Sequence, residues 1–195
     1  MKTLLISASL IGSVVLPSAA LAQAIPPAIV AVVDLEKVQS QCRACQTASA
    51  ALRAQVTALQ NRESTLATPL QTEGKSIQAA VDALNGKEPD AALQARIKAF
   101  QTKQQQGAQE LQRQQQQIQR NQAYITQQIQ AKLGPIYQQV MQKRGANVMV
   151  EQGATLASAT AVDATNDVLT ALNAQLPSLQ TTAPATTQQQ QPQGR

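Results

Sequence analysis

The chain has 195 residues and a formal net charge of +5; 43% of its residues are apolar, only 2% are aromatic, and none is histidine. The missing imidazole excludes histidine acid–base catalysis and histidine metal ligation, and so few aromatics leave a large globular core without its usual material. A chain rich in alanine, glutamine and leucine reads instead as long helices with a small body, an α+β class that is predominantly α.

At the amino end, Met1 and Lys2 give a positive start, Leu4 to Leu16 is apolar, Pro17 breaks the run, and small residues follow. This is the three-part layout of a secretory signal peptide over residues 1–24, with cleavage expected after Ala22 or Ala24. The apolar run is shorter than the ~20 residues of a spanning helix. Loss of Lys2 leaves the mature chain at +4, and the chain is expected to be exported and soluble.

Ile29 to Leu35 is a β-branched run that reads as a buried strand. A helix is expected from about Val38. Apolar residues then fall at Leu52, Val56, Leu59, Leu66, Leu70, Ile77 and Leu84, with gaps of 4, 3, 7, 4, 7 and 7. That is a coiled-coil rhythm. It stops at Asn85-Gly86-Lys87-Glu88-Pro89-Asp90, a cluster of turn formers. The same series of gaps resumes through Leu93, Ile97, Phe100, Gly107, Leu111, Ile118 and Ile125. Two matched arms over residues 42–135, with a tip near 85–90, make a long antiparallel helical hairpin. Each arm of ~45 residues would reach ~65–70 Å.

The expected seam is imperfect. Glu63, Glu73, Gln104 and Gln114 occupy seam positions and Gly107 leaves a hole, so flex points are expected near Pro69 to Gly74 and near Gly107. Gly134-Pro135 marks a further kink, and Gly145 after Lys143-Arg144 fits a helix C-cap. Ala146 to Val150 reads as a second strand, Thr155 to Thr160 as a third, and Asp163 or Thr165 as the cap of a short final helix. Residues 28–41 with 136–175 would form the body, too small to be comfortable alone. From Pro177 to Arg195 the chain is rich in glutamine, threonine and proline and is expected to be disordered.

Cys42 and Cys45 form a Cys-x-x-Cys pair. It is open to three readings: a structural disulfide, reduced core thiols, or a thioredoxin-like redox pair that lacks its βαβ surround. A helical i, i+3 spacing suits a bridge only if the first turn adjusts. Zinc would need two more ligands, and no second pair exists. Gly86-Lys87 lacks the rest of a phosphate-binding loop, and Asp34 and Glu36 are too isolated for carboxylate catalysis. No enzyme activity and no cofactor are expected. Between Arg62 and Lys132 nine cations face six acids, a net +3. This suits either a solvated helix surface or a lure for acidic proteins or anionic lipid headgroups. Export and the lack of stacking aromatics disfavour nucleic acid.

Three segments carry a resemblance: Val30-Ala31-Val32-Val33-Asp34, then Lys143 to Val150, then Val162 to Asn173. In this order and spacing the chain resembles the Skp/OmpH family of periplasmic chaperones over about residues 28 to 175. The resemblance implies a homotrimer whose strands share a β body, with helical arms around a cavity that holds unfolded outer-membrane proteins without ATP. On this reading the candidate client-binding residues are the apolar Leu66, Leu70, Ile97, Phe100 and Leu111 and the basic Lys75, Lys87, Arg96, Lys98, Lys103 and Arg113. Val30, Val32, Val148 and Val150 are the candidate residues of the oligomerisation body. The rival reading is a periplasmic structural or adaptor hairpin, for which flanking lipoyl-like or barrel domains have no room.

Overall fold

The structure is a computed structural model and describes residues 25–185; the expected signal peptide and the last ten residues lie outside the described residues. The element order is β1 (Val30–Val33), α1 (Leu35–Gln41), α2 (Arg43–Asp82), α3 (Ala91–Arg144), β2 (Val148–Glu151), two short 3-10 turns (Gln152–Ala154 and Thr160–Val162) and α4 (Thr165–Gln175). α2 and α3 pack against each other as an antiparallel hairpin. With 40 and 54 residues they run about 60 and 80 Å at 1.5 Å per residue. The tip turn is made by Asn85 and Gly86, both at positive φ (49° and 87°), and Asp90 caps α3 by accepting from the Leu93 N–H at 2.8 Å.

β1 and β2 are parallel, Val30 opposite Val148 and Val33 opposite Glu151, so the whole hairpin is the crossover between them. The other edge of β1 is covered by Asp163 through an isolated bridge, with the Ala164 N–H donating to the Val32 carbonyl at 2.8 Å. The expected third strand at Thr155 to Thr160 is not formed; residues 155–159 are loop, Thr160 opens the second 3-10 turn, and Asp163 supplies a single bridge instead. The body core joins α1, the end of α3 and α4, with Val38, Cys42, Ile136, Val168 and Leu172 fully buried.

The ends of α1 and α3 are tied as the sequence suggests, whereas the N-cap of α4 is Ala164, with no side-chain cap of its own, rather than Asp163 or Thr165. Asp34 caps α1 by accepting from the Lys37 N–H at 2.8 Å, and Gly145 closes α3 in the left-handed conformation at φ 66°. Asp163 accepts from the Thr165 N–H at the start of α4, while the Thr165 hydroxyl accepts from the Asp34 N–H at 2.9 Å, locking α4 to the β1–α1 junction.

Three expectations along the arms need correction. α2 runs through Pro69 without a break, so Pro69 does not interrupt the first arm, and α3 continues through Gly134-Pro135. Both prolines and the residues one turn before them, Thr65 and Ala131, face solvent, where water satisfies the freed carbonyl. Gly107 is not a hole, because the Leu66 side chain fills the space above it. At the base of the first arm the seam shifts by one residue: Val56 is 41% exposed and Gln55 faces α3. A nearly straight helix drifts ~20° per heptad from a strict seven-residue repeat, enough to turn Val56 outward.

Candidate functional site

Two features of the hairpin are shaped to hold something. The first is a cleft of about 430 Å³ midway along the arms, with Leu66, Pro69, Leu70 and Gly107 as its apolar wall and Arg62, Glu73, Lys103 and Glu110 around it. Both carboxylates are engaged across the seam. Arg62 donates to Glu110 through Nε (2.7 Å) and Nη2 (3.0 Å), and Arg96 Nε donates to Glu73 at 2.6 Å while its Nη2 reaches Ser76 Oγ. Hydrogen bonds from these arginines hold the Glu73 and Glu110 carboxyls below the usual carboxylate range.

The candidate residues divide by their place on the hairpin. Leu66, Leu70, Ile97, Phe100 and Leu111 are all half-buried in the inter-arm seam, so their apolar surface is first of all the glue of the hairpin. Leu66 and Leu70 also border the cleft. Arg96 is committed to Glu73. Lys75, Lys87, Lys98, Lys103 and Arg113 are exposed and form no ion pair among the described residues. Lys103 stands at the rim of the cleft, and the other four are exposed on the arms away from it.

The second feature lies nearer the body, and the sequence reading missed it. Residues 177–185 were expected to be disordered, yet they lie against the base of the arms. Leu176 is buried and Leu179 packs on the core. Beyond them the chain runs along a row of side-chain amides. Gln128 Oε1 accepts from the Gln180 N–H (3.0 Å) and its Nε2 donates to the Gln180 carbonyl (2.9 Å). Gln55 Nε2 donates to the Thr181 carbonyl at 3.2 Å. Asn121 Oδ1 accepts from the Ala183 N–H at 2.8 Å, and Gln117 Nε2 donates to the Ala183 carbonyl at 3.4 Å.

Asn121 is the hub of this row and is only 3% exposed. Its Nδ2 donates to Gln55 Oε1 across the hairpin (2.8 Å) and its Oδ1 also accepts from Gln117 (2.7 Å). Arg120 donates to Gln117 Oε1 and so aims the other end of that amide at Asn121 and Ala183. One signal was present in the sequence: Asn121 falls three residues after Ile118 and four before Ile125, a seam position, where a polar residue needs a partner.

Cys42 and Cys45 are joined in a disulfide with Cα atoms 5.1 Å apart. The first turn adjusts to allow it. Cys42 leaves the helix (φ −65°, ψ 121°), dividing α1 from α2, and its Sγ accepts from the Cys45 N–H at 3.2 Å. The free Arg43 N–H is taken by Asn173 Oδ1 of α4 at 2.9 Å. The bridge sits in the core where the arm leaves the body.

On the body, Val30 and Val148 are paired across the sheet and each is 38% exposed, beside Ile29 at 53%. Val150 is half-buried. Val32 is 4% exposed, and it stands apart from the buried cluster in which Ala31 and Val33 meet α4, so it is buried within this chain rather than offered to a partner. Among the described residues the outer edge of β2 pairs with nothing, and no helix is long and apolar enough to cross a membrane.

The family model "Outer membrane protein (OmpH-like)" matches residues 29–172. Among solved structures, the chain is similar to an OmpH-like outer membrane chaperone from Caulobacter crescentus CB15, with a TM-score of 0.65 and 20% identity over 80% of this chain and 90% of that one. At that identity the likeness concerns the fold. No curated protein sequence matches. With a family match that runs from β1 into α4, the chain belongs to the OmpH-like family.

Proposed function

We propose that this protein is an ATP-independent holding chaperone of the periplasm that binds unfolded outer-membrane proteins between its helical arms and keeps them from aggregating. The observation that carries the reading is the hairpin itself: two arms reach far beyond a small body, with an apolar-walled cleft between Leu66, Leu70 and Gly107, with Lys103 at the rim of that cleft and with Lys75, Lys87, Lys98 and Arg113 exposed along the arms. An acidic unfolded chain is attracted by those cations and shielded by weak contacts, each easily reversed. Avidity over several arms supplies the retention. The same cations suit anionic lipid headgroups near the site of delivery. The body's exposed Val30 and Val148 and the unpaired edge of β2 suit self-association, which we take to give a homotrimer.

The test mixes the mature protein with an unfolded acidic β-barrel protein and follows light scattering without ATP. Suppression at stoichiometric trimer, weakened as salt screens the cations over ~10 Å at 0.1 M, is the expected result. Unaltered scattering would leave the structural or adaptor reading in its place.

A further inference from the structure

We propose that the amide row at the base of the hairpin is a second polypeptide-binding site, one that reads the main chain of an unfolded segment bent once between its two clasped residues, and that residues 180–183 of the chain's own tail, with their bend at Thr182, are its resident occupant. The proposal deepens the holding reading and rests on it.

Five main-chain groups of the tail are held, and every one of them is held by a side-chain amide: both groups of Gln180, both groups of Ala183 and the carbonyl of Thr181. A primary amide carries a donor and an acceptor together, so it can pair with the N–H and the C=O of one extended residue; a carboxylate or an ammonium can do only half of that. Gln128 does so alone at Gln180, and Asn121 with Gln117 does so at Ala183. The two doubly held residues stand either side of the bend at Thr182, and, as in strand addition, main-chain hydrogen bonds supply the affinity. Such bonds are indifferent to side-chain identity. Among the described residues the one hydrogen bond to a side chain of this stretch is Tyr124 Oη donating to Gln180 Oε1 at 3.1 Å.

Two observations separate this stretch from a fixed strap. The apolar anchors of the tail, Leu176 and Leu179, lie upstream of it, so residues 180–183 are held by polar bonds that another unfolded chain, bent at the same place, reproduces in full. The row also has an unused donor: Arg120 Nε is buried with no hydrogen-bond partner among the described residues, and it adjoins Gln117. The fitting ligand is an unfolded polypeptide that can bend between the two clasped positions and has free N–H groups at both. The tail keeps the row satisfied until such a segment displaces it.

The test uses three proteins: the full chain, the chain ended after Leu179, and the full chain carrying Gln180→Pro and Ala183→Pro, which lack the two clasped N–H groups. The probe is a peptide of residues 178–185, added at about millimolar concentration, the effective concentration of a short tether, and read by amide shifts of 15N-labelled protein. The peptide is expected to shift Gln117, Asn121 and Gln128 in both altered proteins and not in the full chain. A peptide N-methylated at Gln180 and Ala183 is expected to shift nothing. An unfolded β-barrel protein is then expected to displace the peptide and to bind the altered proteins about tenfold more tightly than the full chain, because the tail no longer occupies the site. Adding Asn121→Ala and Gln128→Ala to the shortened chain should abolish that gain. If the client binds all three proteins equally and leaves the peptide in place while aggregation is still suppressed, the row is only a dock for the tail and the proposal fails alone. If no variant suppresses aggregation, the holding reading fails and takes the proposal with it.

Discussion

The Phe100 ring of α3 lies directly over the backbone of Gly74 in α2: a Cβ built at Gly74 would stand 3.2 Å from Phe100 Cζ. The chain's single phenylalanine thus packs where the opposite arm has no side chain. Leu66 repeats the arrangement over Gly107, but with more room, 3.6 Å from Cδ1 to a built Cβ. In a helix, Gly→Ala gains about 1 kcal/mol of propensity when nothing opposes it. Gly107→Ala is therefore expected to raise the thermal midpoint of the hairpin. Gly74→Ala should gain less or nothing, because the Phe100 ring must shift by a few tenths of an ångström. Thermal unfolding followed by circular dichroism compares the two; an equal gain would contradict the close packing at Gly74.

Asn173 fastens the arm to the body by accepting from the Arg43 N–H. Asn173→Ala removes this borrowed cap and is expected to cost about 1 kcal/mol. Asn173→Asp keeps an acceptor at the same place and should recover most of the loss. Denaturant unfolding of the three proteins checks the order.

Asp167 binds both Lys143 (2.8 Å) and Arg144 Nε (2.7 Å) at the junction of α3 with α4. Hydrogen bonds from Lys143 and then Arg144 hold its carboxyl below the ordinary 3.8. A depressed folded-state value means that the stabilisation is complete above pH 3.8 and is lost as the pH falls through the lowered value. Asp167→Asn should cost about 1–2 kcal/mol at neutral pH, in the range of a hydrogen bond to a charged group, and the cost should shrink on acidification below pH 4. Stability curves of both proteins between pH 2 and 7 give the answer.

The Cys42–Cys45 disulfide closes a loop with a separation of 3 residues. Loop entropy for so short a ring limits its contribution to about 2 kcal/mol. Reduction, or the double change Cys42→Ala and Cys45→Ala, is expected to lower stability by no more than that and to leave aggregation suppression intact. Loss of activity with the fold preserved would favour thiol chemistry instead.

What was legible from the sequence was whatever rests on periodicity and on local turn chemistry. The two apolar series and the Asn85-Gly86 turn define the hairpin, because seam residues must recur once per heptad and a positive φ needs glycine or asparagine. Gly145 announces its cap for the same local reason. Relations between distant residues were not legible. Gly107 read as a hole until Leu66 was seen above it, and Val56 read as seam because the drift of a straight helix accumulates over many turns. The tail read as disordered because its composition lacks apolar residues. Its order comes instead from amides some fifty to a hundred and thirty residues away, at Gln128, Asn121 and Gln55. Among the apolar client candidates, Ile97, Phe100 and Leu111 are drawn into the seam, since one stripe cannot be told from another before the partner helix is placed.

The measurement that bears most directly on the central claim is site-specific photo-crosslinking of an unfolded outer-membrane protein to the mature chain. A photoreactive residue is placed at Leu70 or Lys103 in the mid-arm cleft, or at Gln142 on the exposed side of the body end of α3. Crosslinks at 70 and 103, absent at 142 and absent with the folded client, are predicted. Crosslinks confined to 142, or none at any position under conditions where aggregation is suppressed, would contradict a client held between the arms.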